Sequence, residues 1–206
     1  VGNLELISGL MLFESPNNTN DRDLAIARII VRPAKLEDSR ELAAILAYSF
    51  YDFPEIWRWI YPLLQFTIYE DLRHRLRSRS PLYCCLVACS IDKNKEEEIV
   101  GTAEIAIRAP NFWSNDQRYP YIANLAVKNE YRRLGIGTKM LSECERISLD
   151  WGYSETRLHV LAGNDAAKNL YLSTGYQLCQ IESNWGDWLV KGSSRLLLSK
   201  QQPLCQ

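Results

Sequence analysis

The sequence predicts a single α/β domain built on a mixed β-sheet, and three observations carry that expectation. Along 206 residues, stretches of alternating apolar residues interleave with stretches of helical period in the order β-α-α-β-β-β-α-β-α-β-β. Hydrophobic residues make up 47% of the chain and aromatic residues 11%, which fills a core and excludes disorder for most of it. A chain this long buries roughly 70% of its unfolded surface and needs no metal or disulfide staple.

The elements follow in order. Residues 1–24 read as an arm, with the polar run Glu14 to Asp21. The domain spans 25–200, and 201–206 form a short tail. Ala27 to Val31 is a first strand, closed by Pro33. Leu36-Glu37-Asp38-Ser39 opens a helix whose Leu42, Ala43, Leu46 and Phe50 share one face. Asp52-Phe53-Pro54 marks a second helix start, and Pro62 predicts two short helices or a kink between Glu55 and Ser78. Tyr83–Ile91 and Ile99–Arg108 read as strands joined by the charged loop Asp92 to Glu96. A loop with Phe112 and Trp113 precedes a strong strand, Tyr119–Val127. The next helix carries Met140, Leu141, Cys144, Ile147 and Trp151 on one stripe and stops at Gly152. Thr156–Leu161 is a strand, Asp165–Ser173 a short helix stopped by Gly175, and Tyr176–Ser199 a hairpin broken at Asn184 to Asp187.

Composition narrows the function classes. Twenty-four basic and 25 acidic residues leave a net charge of -1, so no global basic field exists for a polyphosphate duplex, and nucleic acid is not an expected partner. Arg73, His74, Arg75, Arg77 and Arg79 form a local basic cluster that reads as a solvated C-terminal helix turn. No apolar run reaches the roughly 20 residues of a membrane span. The cysteines Cys84, Cys85, Cys89, Cys144, Cys179 and Cys205 form no CxxC pair, and His74 and His159 are the only histidines, so no metal is expected. Free thiols at this density point to a reducing compartment, the cytoplasm. The chain starts at Val1, which leaves open whether a leader was removed.

The segment that carries chemistry is the junction from Leu125-Ala126-Val127 through Arg132-Arg133-Leu134-Gly135-Ile136-Gly137. Two glycines at a helix start let a ligand approach the main chain, and the first N–H groups of the helix point outward with the positive dipole end. That is a phosphate site, and the two arginines add charge. The spacing fails the Walker pattern, because Ile136 to Lys139 follow Gly135, and the dinucleotide fingerprint, because Met140 stands at its third glycine.

The pattern Arg132-x-x-Gly135-x-Gly137, with Leu125-Ala126-Val127 before it and Asn164 and Tyr171-x-x-x-Gly175-Tyr176 after it, closely resembles the GNAT family of acyl-CoA N-acyltransferases. The resemblance covers about residues 27–200, is specific from Tyr119 to Tyr176, and is strongest to cyanobacterial and plastid-type members, which adds the plastid stroma as an alternative compartment. It implies a sheet whose fourth and fifth strands splay apart, with acetyl-CoA as cosubstrate in the cleft and no metal. By the same resemblance, the main chain of Leu125, Ala126 and Val127 holds the pantetheine and acyl carbonyl. Arg132 opens the pyrophosphate turn, and Arg133, Leu134, Gly135, Ile136, Gly137 and Thr138 cradle it. Asn164 binds the pantetheine arm, and Tyr171 protonates the departing thiolate. A phenol of pKa ~10 can donate to a thiolate whose conjugate acid lies near ~8.5.

The implied activity is an N-acetyltransferase acting on a primary amine of a protein, at a lysine side chain or an N-terminus, by direct attack in a ternary complex. A small amine or polyamine, or a non-catalytic CoA-binding role, is the alternative. The chain departs from many relatives at the base, because Tyr121-Ile122-Ala123-Asn124 carries no carboxylate. His159 on the fifth strand is the first candidate, directly or through water, and Glu104 the second. The acceptor is expected beside Tyr51, Phe53 and Trp185, with Glu182 and Asp187 drawing a cation. A monomer or homodimer is expected.

Overall fold

A computed structural model describes residues 29–50, 61–78, 80–91, 96–109, 118–182 and 194–203. The N-terminal arm, the Asp52-Phe53-Pro54 start, Phe112, Trp113, Arg79, Trp185, Asp187 and Cys205 lie outside the described residues, as do the acceptor-side Tyr51 and Phe53. The strands are β1 (Ile29–Pro33), β2 (Tyr83–Ile91), β3 (Glu97–Arg108), β4 (Tyr119–Val127), β5 (Glu155–Leu161), β6 (Gln177–Glu182) and β7 (Arg195–Gln201). The helices are α1 (Ser39–Phe50), α2 (Tyr61–Ser78), α3 (Ile136–Asp150) and α4 (Asp165–Ser173), with 3₁₀ turns at Leu36–Asp38 and Asn129–Tyr131. No helix among the described residues is long and apolar enough to cross a membrane.

One sheet in the order β1-β2-β3-β4-β5-β7-β6 joins all seven strands. Every pairing is antiparallel except β4 with β5, which is parallel. The alternation of β2 assigns its two faces. Leu86 and Ala88 join Ile105, Ile122 and Leu158 under Met140, Leu141 and Cys144 of α3. Cys85, Val87 and Cys89 pack beneath Leu42, Leu46 and Leu72 of the α1–α2 pair. The vicinal cysteines thus serve opposite faces as small apolar groups. Burial, with Glu104 next, pushes the Cys85 thiol up to about 12, so it carries no thiolate at neutral pH.

Within the described residues Pro62 is the second residue of α2, where the first N–H groups have no intrahelical acceptor, and Tyr61–Ser78 runs unbroken past it; Glu55 to Ile60 lie outside the described residues. β1 ends at Pro33, on an edge of the sheet where a missing donor is tolerated. The C-terminal hairpin forms, but its second arm, β7, sits against β5 while β6 takes the edge. The side chains explain the order: Leu197 and Leu198 of β7 are buried, whereas Leu178 and Ile181 of β6 are exposed.

The α3 contact is the largest apolar layer, and Leu141 within it is 1% exposed. Leu141→Ala is expected to destabilise the protein by about 2–5 kcal/mol, since truncation leaves a cavity in a closed layer. Urea unfolding measures this; a loss under about 1 kcal/mol would show that the layer collapses around the gap.

Candidate active site

The site begins where a ladder stops. Parallel pairing of β4 with β5 is confined to Tyr121 opposite Arg157 and Ile122 opposite Leu158. Just beyond, β4 bulges. Thr102 pairs with Ala126 and Glu104 with Ala123, so Asn124 and Leu125 both face Ala103. Asn124 takes φ 53, a left-handed conformation that asparagine tolerates better than most residues. The extra residue turns Leu125, Ala126 and Val127 along a cleft of about 540 Å³ between β4 and the N-terminal ends of α3 and α4.

The floor of that cleft is the arginine–glycine turn. Arg132 donates Nε–H to the Val127 carbonyl at 3.1 Å, which ties the turn back to β4. Gly135 has φ 75 and open space where a Cβ would stand, so glycine is needed there for the backbone and not for room. The first helical bond of α3 runs from Lys139 N–H to the Gly135 carbonyl at 3.0 Å. The amides of Ile136, Gly137 and Thr138 precede it and have no intrahelical acceptor. Arg133 stands at φ 65, and it and Asn124 are the non-glycine residues at positive φ among the described residues. Arg133 lines the cleft, and Asn124 directly precedes its first β4 lining residue, Leu125; positive φ at such positions is where backbone strain accumulates when a ligand site over-determines the chain. Arg132, Arg133, Leu134 and Thr138 complete the turn, and the cleft lining contains two arginines and, among the described residues, no carboxylate. That donor set fits a polyphosphate.

Asn164 and Tyr171 close the other wall. Asn164 caps α4, its Oδ1 accepting the Ala167 N–H at 3.0 Å, so one end of its amide is committed to the helix start. Tyr171 is 8% exposed. Burial, then Tyr121 and Cys144, raise its hydroxyl to about 12, which keeps the phenol protonated at neutral pH.

On the α1–α2 face of the sheet, His159 Nδ1 lies 2.8 Å from the Tyr121 hydroxyl. Its Nε2 is buried without an aligned hydrogen-bond partner, 3.2 Å from Glu182 Oε1. The Arg108 guanidinium covers the Tyr121 ring at 3.4 Å. Tyr121 is the residue that the sequence reading passed over. The alternation of β4 gives its face, but only the register opposite β5 brings it to His159. Glu104 stands on the same face, with its oxygens accepting from Arg75, Tyr83 and Asn124. The basic cluster is therefore not wholly solvated: Arg73 pairs with Glu70, but Arg75 turns inward to Glu104.

A family model described as acetyltransferase (GNAT) family matches residues 44–176. Among curated proteins, the chain is similar to GCN5-related N-acetyltransferase 7, chloroplastic, of Arabidopsis thaliana, at 30% identity over 134 residues, covering 63% of this chain and 47% of that protein. It is also similar to thialysine N-epsilon-acetyltransferase of Bos taurus, at 30% identity over 125 residues, covering 61% of this chain and 74% of that one. The matched region thus spans about half the length of the Arabidopsis relative. Among solved structures, the paia N-acetyltransferase of Thermoplasma acidophilum in complex with coenzyme A has the same fold, with TM-score 0.63 at 22% identity over 84% of this chain and 98% of that one.

Since Gly135 is constrained by its backbone alone, Gly135→Ala is expected to lower stability by roughly 1–2 kcal/mol and Gly135→Asn by less. Equal losses in denaturant titrations would contradict a left-handed turn at this position.

Proposed function

The chain belongs to the acetyltransferase (GNAT) family, and from that premise we propose that it moves the acetyl group of acetyl-CoA to a primary amine of a protein. One observation carries the reading. A single cleft, opened where two parallel strands part, is lined at once by Leu125 to Val127, the arginine–glycine turn, Asn164 and Tyr171.

Acetyl-CoA supplies an acyl thioester already activated toward amines. In this reading the main chain of Leu125, Ala126 and Val127, free of β5, pairs with the pantetheine arm and acyl carbonyl. The amides from Ile136 to Thr138, with Arg132, Arg133, Leu134 and Gly135, hold the pyrophosphate. Asn164 contributes its remaining amide protons to the arm. Tyr171 keeps its proton until negative charge develops on the departing sulfur, then donates it.

His159 is the proposed base. With Nδ1–H donating to the Tyr121 oxygen at 2.8 Å, Nε2 carries the lone pair that takes the ammonium proton, directly or through one water. Glu182 Oε1 lies 3.2 Å from that nitrogen. The amine then attacks directly in a ternary complex.

A protein acceptor is supported by the helix pair on the His159 side of the sheet. Tyr48, Leu63 and Phe66 are exposed there at 70%, 62% and 59%, and Tyr48 stacks on Tyr61. A depression of about 410 Å³ beside Tyr48 adjoins the cleft through Ser49. The exposed Tyr48, Leu63 and Phe66 suit a peptide, and the depression beside them is mixed, with Glu41, Lys128 and Glu130 around Ala44 and Ile45. A small amine is the second reading, favoured by the thialysine-acting relative. The chloroplastic relative supports the plastid stroma as compartment.

Incubation with acetyl-CoA and a peptide library, with acetylated sites read by mass spectrometry, tests the acceptor; label only on small amines would reverse the preference. Tyr171→Phe is expected to lower kcat by roughly 10²–10³-fold with acetyl-CoA affinity nearly intact. Unchanged kcat would remove the phenol from the reaction. His159→Ala is expected to lower kcat with acetyl-CoA affinity nearly intact. Unchanged kcat would assign the base elsewhere.

A further inference from the structure

We propose that Glu104 is a positioning residue whose buried carboxylate locks the β4 bulge, and with it the main chain of Leu125 to Val127, in the shape that grips the acyl carrier. The inference rests on the cofactor reading above.

Glu104 sits in the middle of β3 and is 3% exposed. A carboxylate at such a position is costly unless donors fill its lone pairs. Three do. Oε1 accepts the Asn124 Nδ2–H at 2.7 Å and an Arg75 Nη2–H at 3.3 Å, and Oε2 accepts the Tyr83 hydroxyl at 2.9 Å. Burial, with Glu104 beside it, raises the Tyr83 hydroxyl far above its ordinary range, so it remains a donor. Each oxygen is thus engaged before any acceptor arrives, which suits a structural anchor and not a base.

What the carboxylate anchors is the one residue of β4 whose backbone needs holding. Asn124 stands at φ 53, a conformation less costly for asparagine than for other side-chain-bearing residues but still less free than for glycine. On its far side β5 has already parted after Ile122, so β3 is the strand neighbour that remains. Glu104 pairs with Ala123, one residue before the bulge, and its bond to the Asn124 side chain fixes the left-handed turn from the adjoining strand. The same oxygen takes Arg75 from α2. Helix α2 and the cofactor strand are thereby fastened to one group.

Calorimetry with acetyl-CoA, steady-state kinetics and thermal melting of the wild type and of Glu104→Ala, Glu104→Gln, Asn124→Ala and Asn124→Gly test the inference. Glu104→Ala is expected to weaken acetyl-CoA binding by roughly tenfold or more, the worth of a hydrogen bond to a charged group. Glu104→Gln keeps an acceptor for Asn124 and is expected to stay within about threefold of wild type. Asn124→Gly, free to adopt φ 53, is expected to bind better than Asn124→Ala and to restore binding when added to Glu104→Ala. Should Glu104→Ala fail to fold, the Asn124 pair and Glu104→Gln still decide. Unchanged affinity in Glu104→Ala, or equal affinity in Asn124→Ala and Asn124→Gly, would overturn the proposal. Loss of kcat in Glu104→Gln and Glu104→Ala alike, with affinity kept, would overturn it in favour of a base. A wild-type protein that binds no acetyl-CoA would overturn the cofactor reading itself, and this inference with it.

Discussion

Two residue pairs of parallel ladder hold β4 to β5, and the geometry of everything near the cleft follows from how soon that ladder ends. A longer ladder would satisfy the backbone of Leu125 to Val127 within the sheet and leave no gap for a ligand. A shorter one would detach β5, and the β7–β6 pair beyond it, from the rest of the sheet. The molecule reconciles the two demands by packing Ile122 and Leu158, which form the last pair, into the core under α3. The sheet is thus closed by apolar burial on one side of the gap while the other side remains open to polar chemistry.

The gap also separates two kinds of work. Toward α3 and α4 it presents arginines, helix amides, Asn164 and the buried phenol of Tyr171, with no carboxylate in the lining among the described residues. Toward α1 and α2 stand Tyr121, His159 and Glu182, the group proposed above to take the proton of the amine.

Much of the fold was legible because strand and helix periods are local properties. The bounds of β2, β4 and α4 follow from apolar alternation, from helical period and from Gly175 as the stop after α4. The glycine turn was legible for the same reason, since a left-handed residue before a helix leaves its mark on a few neighbouring positions. What the sequence hid depends on register. Nothing along the chain says that β7 lies inside β6, that Tyr121 comes opposite Arg157 and so reaches His159, or that an arginine of a basic helix turn bends inward to a carboxylate 29 positions away. Asn124 was hidden differently. An asparagine in a strand reads as a weak β-former, and only the shift in pairing beyond Glu104 reveals a bulge.

The placement of β7 has a consequence for how the molecule is made. Strand β5 acquires its antiparallel neighbour only from residues 195–201, roughly forty positions downstream, so the half-sheet behind His159 depends on non-local pairing. During synthesis the β1–β4 portion has its helices to hand long before that strand emerges. Until then β5 is bordered on one side by two parallel pairs and on the other by bare backbone. Assembly of the β5–β7–β6 half of the sheet is therefore a late event, and the interval before it is when an emerging chain is most exposed to edge-to-edge aggregation.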